Sequence, residues 1–123
     1  DVDRKILPKL RKLGYPNARM MTEAEAEYLM RLKGEERTIT PGPYPFDGSE
    51  LNAHSWNGDN SGDRVQDVKS TAKVSSSGLY DVRGNVFTWV KDWYGAYSAG
   101  SEKDPQGPVS GSDRGFRGGC SMD

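Results

Sequence analysis

The sequence predicts a loop-rich, ordered fold with two helices followed by strand, and three observations carry that prediction. Two segments in the N-terminal half show helical signals. One segment in the second half, Val86–Val90 ("VFTWV"), is β-branched and aromatic throughout, as strands are. Between and after them run long stretches of Gly, Pro, Asn, Asp and Ser, residues that turn a chain rather than extend it. At 123 residues there is room for one domain.

The first helix rests on Ile6, Leu7, Leu10 and Leu13, which fall at helical spacing, with Gly14 as a C-terminal stop. Its start is placed at Ile6 or Leu7 and its end at Leu13. Pro8 suits a first helical turn, where the missing N–H has no partner to lose. The surrounding run "RKILPKLRK", Arg4–Lys12, reads as the solvated face of this helix. The second helix is predicted over Glu23–Lys33. Thr22-Glu23-Ala24-Glu25 is a capping box, in which a hydroxyl and a carboxylate satisfy orphan N–H groups reciprocally. The acidic first turn suits the helix dipole. Leu29 and Leu32, with Ala26 and Tyr28, form an apolar flank, and Gly34 is the expected stop.

Residues 40–64, "TPGPYPFDGSELNAHSWNGDNSGDR", read as irregular chain pinned by Tyr44, Phe46 and Trp56. Leu, Val, Phe and Ile make up only about 16% of the chain, a thin supply for a self-sufficient core. Three Trp and six Tyr offset that scarcity. Most of Trp56, Phe87, Trp89, Trp93, Tyr94 and Tyr97 are therefore expected in the core, with Tyr94 and Tyr97 as the candidates for an exposed binding role.

Net charge is −1, which argues against nucleic-acid binding, since that needs a basic surface. No apolar run approaches the roughly 18 residues that span a bilayer, so no transmembrane segment is expected and the chain reads as soluble. Cys120 is the single cysteine, which excludes an internal disulfide.

Four motifs, in order, resemble one family. "ARMMTEAEAEYLMR", "YPFDG", "GLYDVRGNVFTWVKDWYGAY" and "DPQGPVSGSDRGFRGG" are similar to the signatures of the formylglycine-generating-enzyme, or sulfatase-modifying-factor, family, over nearly all of Ala18–Gly119. The resemblance implies a loop-rich α+β domain on a C-type-lectin-like scaffold. It also implies that residues 1–123 are a single partial domain, the middle of the usual one.

Enzymes of that family work through two cysteines beyond the last motif, with copper as cofactor; soft thiolates suit Cu(I). This chain offers Cys120 alone, read as a small packed residue, and His54 as its single histidine. It therefore lacks the family's catalytic pair, and no catalytic residue is assigned. The resemblance further implies calcium at the "GLYDVRGNVFTW" loop, held by Asp81, the carbonyls of Gly84 and Val86, and Thr88 where the family has glutamate. That exchange removes a charge, so the site is expected to be weakened. Read without an ion, Gly84-Asn85 is a tight turn at positive φ, and Asp81 accepts turn N–H groups. A second calcium position would draw on Asn57, Asp59, Asn60, Asp63 and Asp67, which read better as solvated loop residues.

The functional expectation is a non-catalytic binding or structural domain, partnered by another protein or by the rest of a larger assembly. Variable proteins of diversity-generating retroelements and virion or cell-surface components are the relatives that the resemblance suggests. The alternative is a fragment of a copper-dependent oxidase that converts a substrate cysteine to formylglycine. A sulfoxide-synthase relative, which takes histidines from a separate helical domain, is disfavoured.

Overall fold

Two short antiparallel ladders and three helices make up the regular structure of the computed structural model, which describes residues 2–33, 38–39, 48–70 and 78–122. The chain opens with a wide π-helical turn, Val2–Ile6, that passes into helix α1, Leu7–Lys12. Pro8 stands at the junction, where it has no N–H to offer the carbonyl of Arg4. The basic side chains of this run lie exposed, as the charge pattern predicts. Of the apolar residues only Leu7 is buried; Ile6, Leu10 and Leu13 face outward.

Helix α2 spans Glu23–Arg31 and carries the capping box that the sequence predicts. Thr22 Oγ1 accepts the Glu25 N–H at 3.2 Å, and Glu25 Oε2 accepts the Thr22 N–H at 2.9 Å. Arg19 grips the same carboxylate through two hydrogen bonds of 2.7 and 2.6 Å. That clamp, more than the cap itself, holds the Glu25 carboxyl down at about 2.

The helix ends two residues before the predicted Lys33. Leu32 and Lys33 instead form strand β1, paired with β2, Thr38–Ile39, in the register Leu32↔Ile39 and Lys33↔Thr38. Leu32 leaves the helical region at φ −67, ψ 125, and its side chain is buried in the extended conformation. Tertiary packing of one leucine thus overrides a helical periodicity that would otherwise continue. Gly34, the predicted stop, and Tyr44 and Phe46, the predicted loop pins, lie outside the described residues. Helix α3, Gly48–His54, corrects the reading of 40–64 as wholly irregular. Its "SELNAH" core is about two turns long, too short for periodicity to stand out from the Pro- and Gly-rich flanks.

The sheet that organises the second half joins β3, Thr88–Trp93, to β4, Arg114–Arg117, antiparallel. The predicted strand Val86–Val90 is shifted: it begins at Thr88 and runs on through Lys91, Asp92 and Trp93. Polar residues at 91 and 92 hide this extension from propensity, yet alternation explains it. Val90 and Asp92 turn inward and are buried, whereas Trp89 and Lys91 turn outward. Gly115 lies opposite, where a Cβ would come within 2.9 Å of Val90 Cγ2, so its lack of a side chain lets Val90 seat. Helix α2 packs on β3 and β4. Two bonds lock it there: the Glu23 N–H donates to Asp92 Oδ1 at 2.7 Å, and the Lys91 N–H donates to the Met21 carbonyl at 2.7 Å. Burial in this position raises the Asp92 carboxyl above its ordinary value.

Among the described residues, the buried apolar side chains are Leu7, Ala26, Leu32 and Val90. This contradicts the expectation that most of the large aromatics are core. Trp56 and Trp93 are half-buried and Phe87 and Trp89 are exposed, while Tyr94 and Tyr97 are exposed as the sequence suggested. The reason is the sheet: with two strands and one helix, one face is covered and the other is bare.

Candidate functional site

The loop from Gly78 into β3 is built around Gly84 and Asn85, both at positive φ (68° and 62°). A Cβ on Gly84 would lie 2.1 Å from the Trp56 carbonyl oxygen, so no side chain fits. Its N–H donates to the Gly118 carbonyl at 2.7 Å. Asn85 is buried and bonded on every side. Its N–H donates to Trp56 O at 2.8 Å and its carbonyl accepts the Ser121 N–H at 3.0 Å. Its amide group meets the Gln66 backbone twice, accepting at 2.8 Å and donating at 3.0 Å. One asparagine therefore ties together segments around 56, 66 and 121. The tight turn was legible in the Gly-Asn pair; this role as a hub depends on residues distant in sequence and was not.

Asp81 stands at φ 51° and its Oδ2 accepts the Lys69 N–H at 3.0 Å, a backbone group twelve residues away rather than one of its own turn. Val86 is exposed, and Thr88 opens β3 opposite Arg117. The four residues implied as calcium ligands offer one carboxylate, one neutral hydroxyl and two carbonyls. Calcium takes about six to eight oxygens with several charges among them, so this donor set suits it poorly. Among the described residues no group of three or more His, Cys, Asp or Glu is placed to hold a metal.

In the second candidate stretch the amides serve the backbone. Asn57 Oδ1 accepts the Asp59 N–H and Asn60 Oδ1 accepts the Asn57 N–H, each at 2.9 Å. Asp59, Asp63 and Asp67 are exposed, in line with solvated loop residues. His54 closes α3, and Cys120 is half-buried beyond β4.

The outer face of β3–β4 carries the distinctive chemistry. Trp89 and Phe116 are cross-strand partners whose rings meet edge-on, centroids 5.8 Å apart and planes at 80°. Phe87 joins them at 4.7 Å from Phe116. All three are exposed, Trp89 by 57%. Beyond this cluster Arg114 stacks on Trp93 with its guanidinium carbon 3.7 Å from the ring centre. Tyr94 and Tyr97 are exposed by 75% and 77%, but they differ. The Tyr97 hydroxyl donates to Glu23 and accepts from Arg117, and Arg117 also ion-pairs with Glu23. Tyr97 is thus a strut between α2 and β4, with its ring left to solvent. Phe116 escaped sequence reasoning, although its alternation with Gly115 in "RGFRGG" was the available signal.

A capped helix is laid on a two-stranded sheet, a Gly-Asn turn joins the segments around 56, 66 and 121, and aromatic residues are exposed on the sheet's other side. Residues 10–123 match the sulfatase-modifying factor enzyme 1-like domain, and the chain belongs to that family. It is 33% identical to the formylglycine-generating enzyme of Mus musculus over 114 residues, which is 85% of this chain and 30% of that protein. The formylglycine-generating enzyme of Streptomyces coelicolor is also 33% identical, over 82% of this chain and 35% of its own length. A shorter stretch of 47 residues is 51% identical to the serine/threonine-protein kinase pkn1 of Chlamydia pneumoniae, covering 35% of this chain and 8% of the kinase. Among solved structures, Treponema denticola variable protein 1 superposes with a TM-score of 0.71 at 35% identity, over 85% of this chain and 37% of its own. The chain thus spans between 8% and 37% of the length of these relatives. Among the described residues, no helix is long and apolar enough to cross a membrane.

Proposed function

We propose that the chain is a non-catalytic binding or structural domain whose outer β3–β4 face is covered by a protein partner or by the remainder of a larger assembly. The exposed Phe87–Trp89–Phe116 cluster carries this reading. Three adjoining aromatic rings in water forfeit the burial that makes such residues favourable, about 25 cal/mol per Å² of apolar surface, and a covering surface recovers it. Tyr94, and the ring of Tyr97, extend the same reading toward the loops. The likeness to a protein named a variable protein fits a non-catalytic scaffold; display on a C-type-lectin-like frame at a virion or cell surface is the finer role proposed with it. In this reading residues 1–123 are the middle part of the usual domain.

The second reading is a fragment of a copper-dependent formylglycine-generating oxidase, favoured by 33% identity to such enzymes over most of the chain. Calcium at Asp81, Gly84, Val86 and Thr88 is proposed as a weak occupant at most, because the loop already closes through Lys69, Trp56 and Gly118. Elemental analysis of the purified protein tests these readings together. Sub-stoichiometric copper, and calcium lost on simple dialysis, are the expected results. Copper at one equivalent, retained through dialysis, would overturn the binding-domain reading.

A further inference from the structure

The N-terminal run turns its apolar row away from the protein. Ile6, Leu10 and Leu13 recur at i, i+4 and i+7 along α1, the spacing of a face built for burial, yet all three are exposed, Leu13 by 73%. Leu7 is the buried anchor that fixes which way the helix faces. Single exposed leucines are ordinary surface, but here a whole row lies bare, and the exposed ring of Tyr15 follows it just past the helix end.

Cations border the row. Lys9 stands one helical turn from Ile6 on one side and from Leu13 on the other. Arg4, Lys9, Arg11 and Lys12 are exposed and form no ion pair among the described residues. Arg11 donates to the Ala18 carbonyl at 3.3 and 3.1 Å, a contact with a neutral group that leaves its charge unmatched. Against these four stands one carboxylate, Asp3, within residues 2–15. The helix dipole accounts for cations in the last turn of α1, but not for the apolar row beside them. The face is also held in place, because the Leu13 N–H donates to Lys9 O at 3.1 Å and the Tyr15 N–H to Leu10 O at 3.2 Å.

An excess of unpaired cations calls for an anionic surface, and the side chains favour a lipid one. Lys and Arg stems carry their charges up to headgroup phosphates while short apolar tips enter below, and tyrosine prefers that boundary. A protein partner would need a groove cut to this row, whereas a lipid surface needs only the cations and the tips. We propose that α1 and the turn after it lie on an anionic lipid surface, with Ile6, Leu10, Leu13 and Tyr15 entering the headgroup layer and Arg4, Lys9, Arg11 and Lys12 meeting lipid phosphates. The chain then rests on a membrane without crossing it. This contact is independent of the β3–β4 face and holds whether or not that face is covered.

Co-sedimentation of the full chain with vesicles tests the proposal. Binding to equimolar phosphatidylcholine–phosphatidylglycerol vesicles is expected, weakened by added salt, with little binding to pure phosphatidylcholine. Each cation near such a surface contributes about fivefold, so Lys9→Gln/Lys12→Gln is expected to raise the half-binding lipid concentration by at least about tenfold. Both side chains are exposed, and an unchanged circular dichroism spectrum checks that the fold is kept. Leu13→Ser gives a second reading, a loss of binding with no change of charge. Absence of binding to the anionic vesicles, or binding as tight in both variants as in the unmodified chain, would overturn the proposal. Binding of soluble polyglutamate without binding of vesicles would also overturn it and assign the face to an acidic protein. Loss of vesicle binding in Trp89→Ser but not in the α1 variants would overturn it by moving the contact to the aromatic face.

Discussion

At the residue scale, Gly84 and Asn85 show how two small residues organise a chain with little apolar material. Gly84 permits a backbone approach that a Cβ would forbid at 2.1 Å, and Asn85 satisfies four separate backbone groups from a buried position. Hydrogen bonds here do the joining that aliphatic packing does in richer cores, and they do it because each buried polar group is paired. Replacing Gly84 with Ala forces both a strained φ of 68° and a collision with Trp56. Hydrogen-exchange protection of the Asn85 and Ser121 amides is expected to fall by about 30-fold or more, equivalent to about 2 kcal/mol of local opening. Unchanged protection would show that the Trp56 contact is dispensable. The turn itself was visible in the sequence, since Gly-Asn asks for positive φ. Its partners were not, because nothing in the order of residues says that 56, 66 and 121 meet at 85.

At the element scale, α2 is the part of the fold most fully written in the sequence. Its N-terminus follows from local chemistry alone, through the Thr22–Glu25 box and the acidic first turn. Its C-terminus does not, because Leu32 is drawn into a strand by its burial. The same contrast governs β3: β-branched and aromatic residues marked its first half, while Lys91 and Asp92 obscured the second. Thr22→Ala is expected to weaken α2 by about 0.5–2 kcal/mol, read as lost helical circular dichroism on mild heating. The Glu25 carboxyl is depressed in the fold, from 4.5 to about 2, chiefly by Arg19. Its contribution is therefore complete above about pH 4.5 and is lost as pH falls towards 2. A carboxyl NMR titration should place Glu25 near 2, and Arg19→Gln should move it up. An ordinary Glu25 midpoint in the unmodified protein would contradict the clamp.

At the scale of the whole molecule, the described residues bury few apolar side chains and leave Phe87, Trp89 and Phe116 in water. Composition foretold the shortage but assigned Phe87 and Trp89 to the core, whereas Tyr94 and Tyr97, its candidates for exposure, are exposed. Scarcity of leucine and isoleucine implied that aromatics must fill a core, whereas the two-stranded sheet has one covered face, and that face takes Val90, Asp92 and Gly115. Such a fold is expected to unfold over a broad thermal range when isolated, as loosely coupled parts rather than as one unit. A sharp, cooperative calorimetric transition from a monomer would contradict that. The central claim is that the outer face of β3–β4 is a covered surface in the functional protein. Hydroxyl-radical footprinting, read at residue resolution by mass spectrometry, tests it most directly. The chain alone is compared with the assembly purified from its source. Strong oxidation of Phe87, Trp89 and Phe116 in the isolated chain, suppressed several-fold in the assembly, is the expected result; equal oxidation in both would contradict the account.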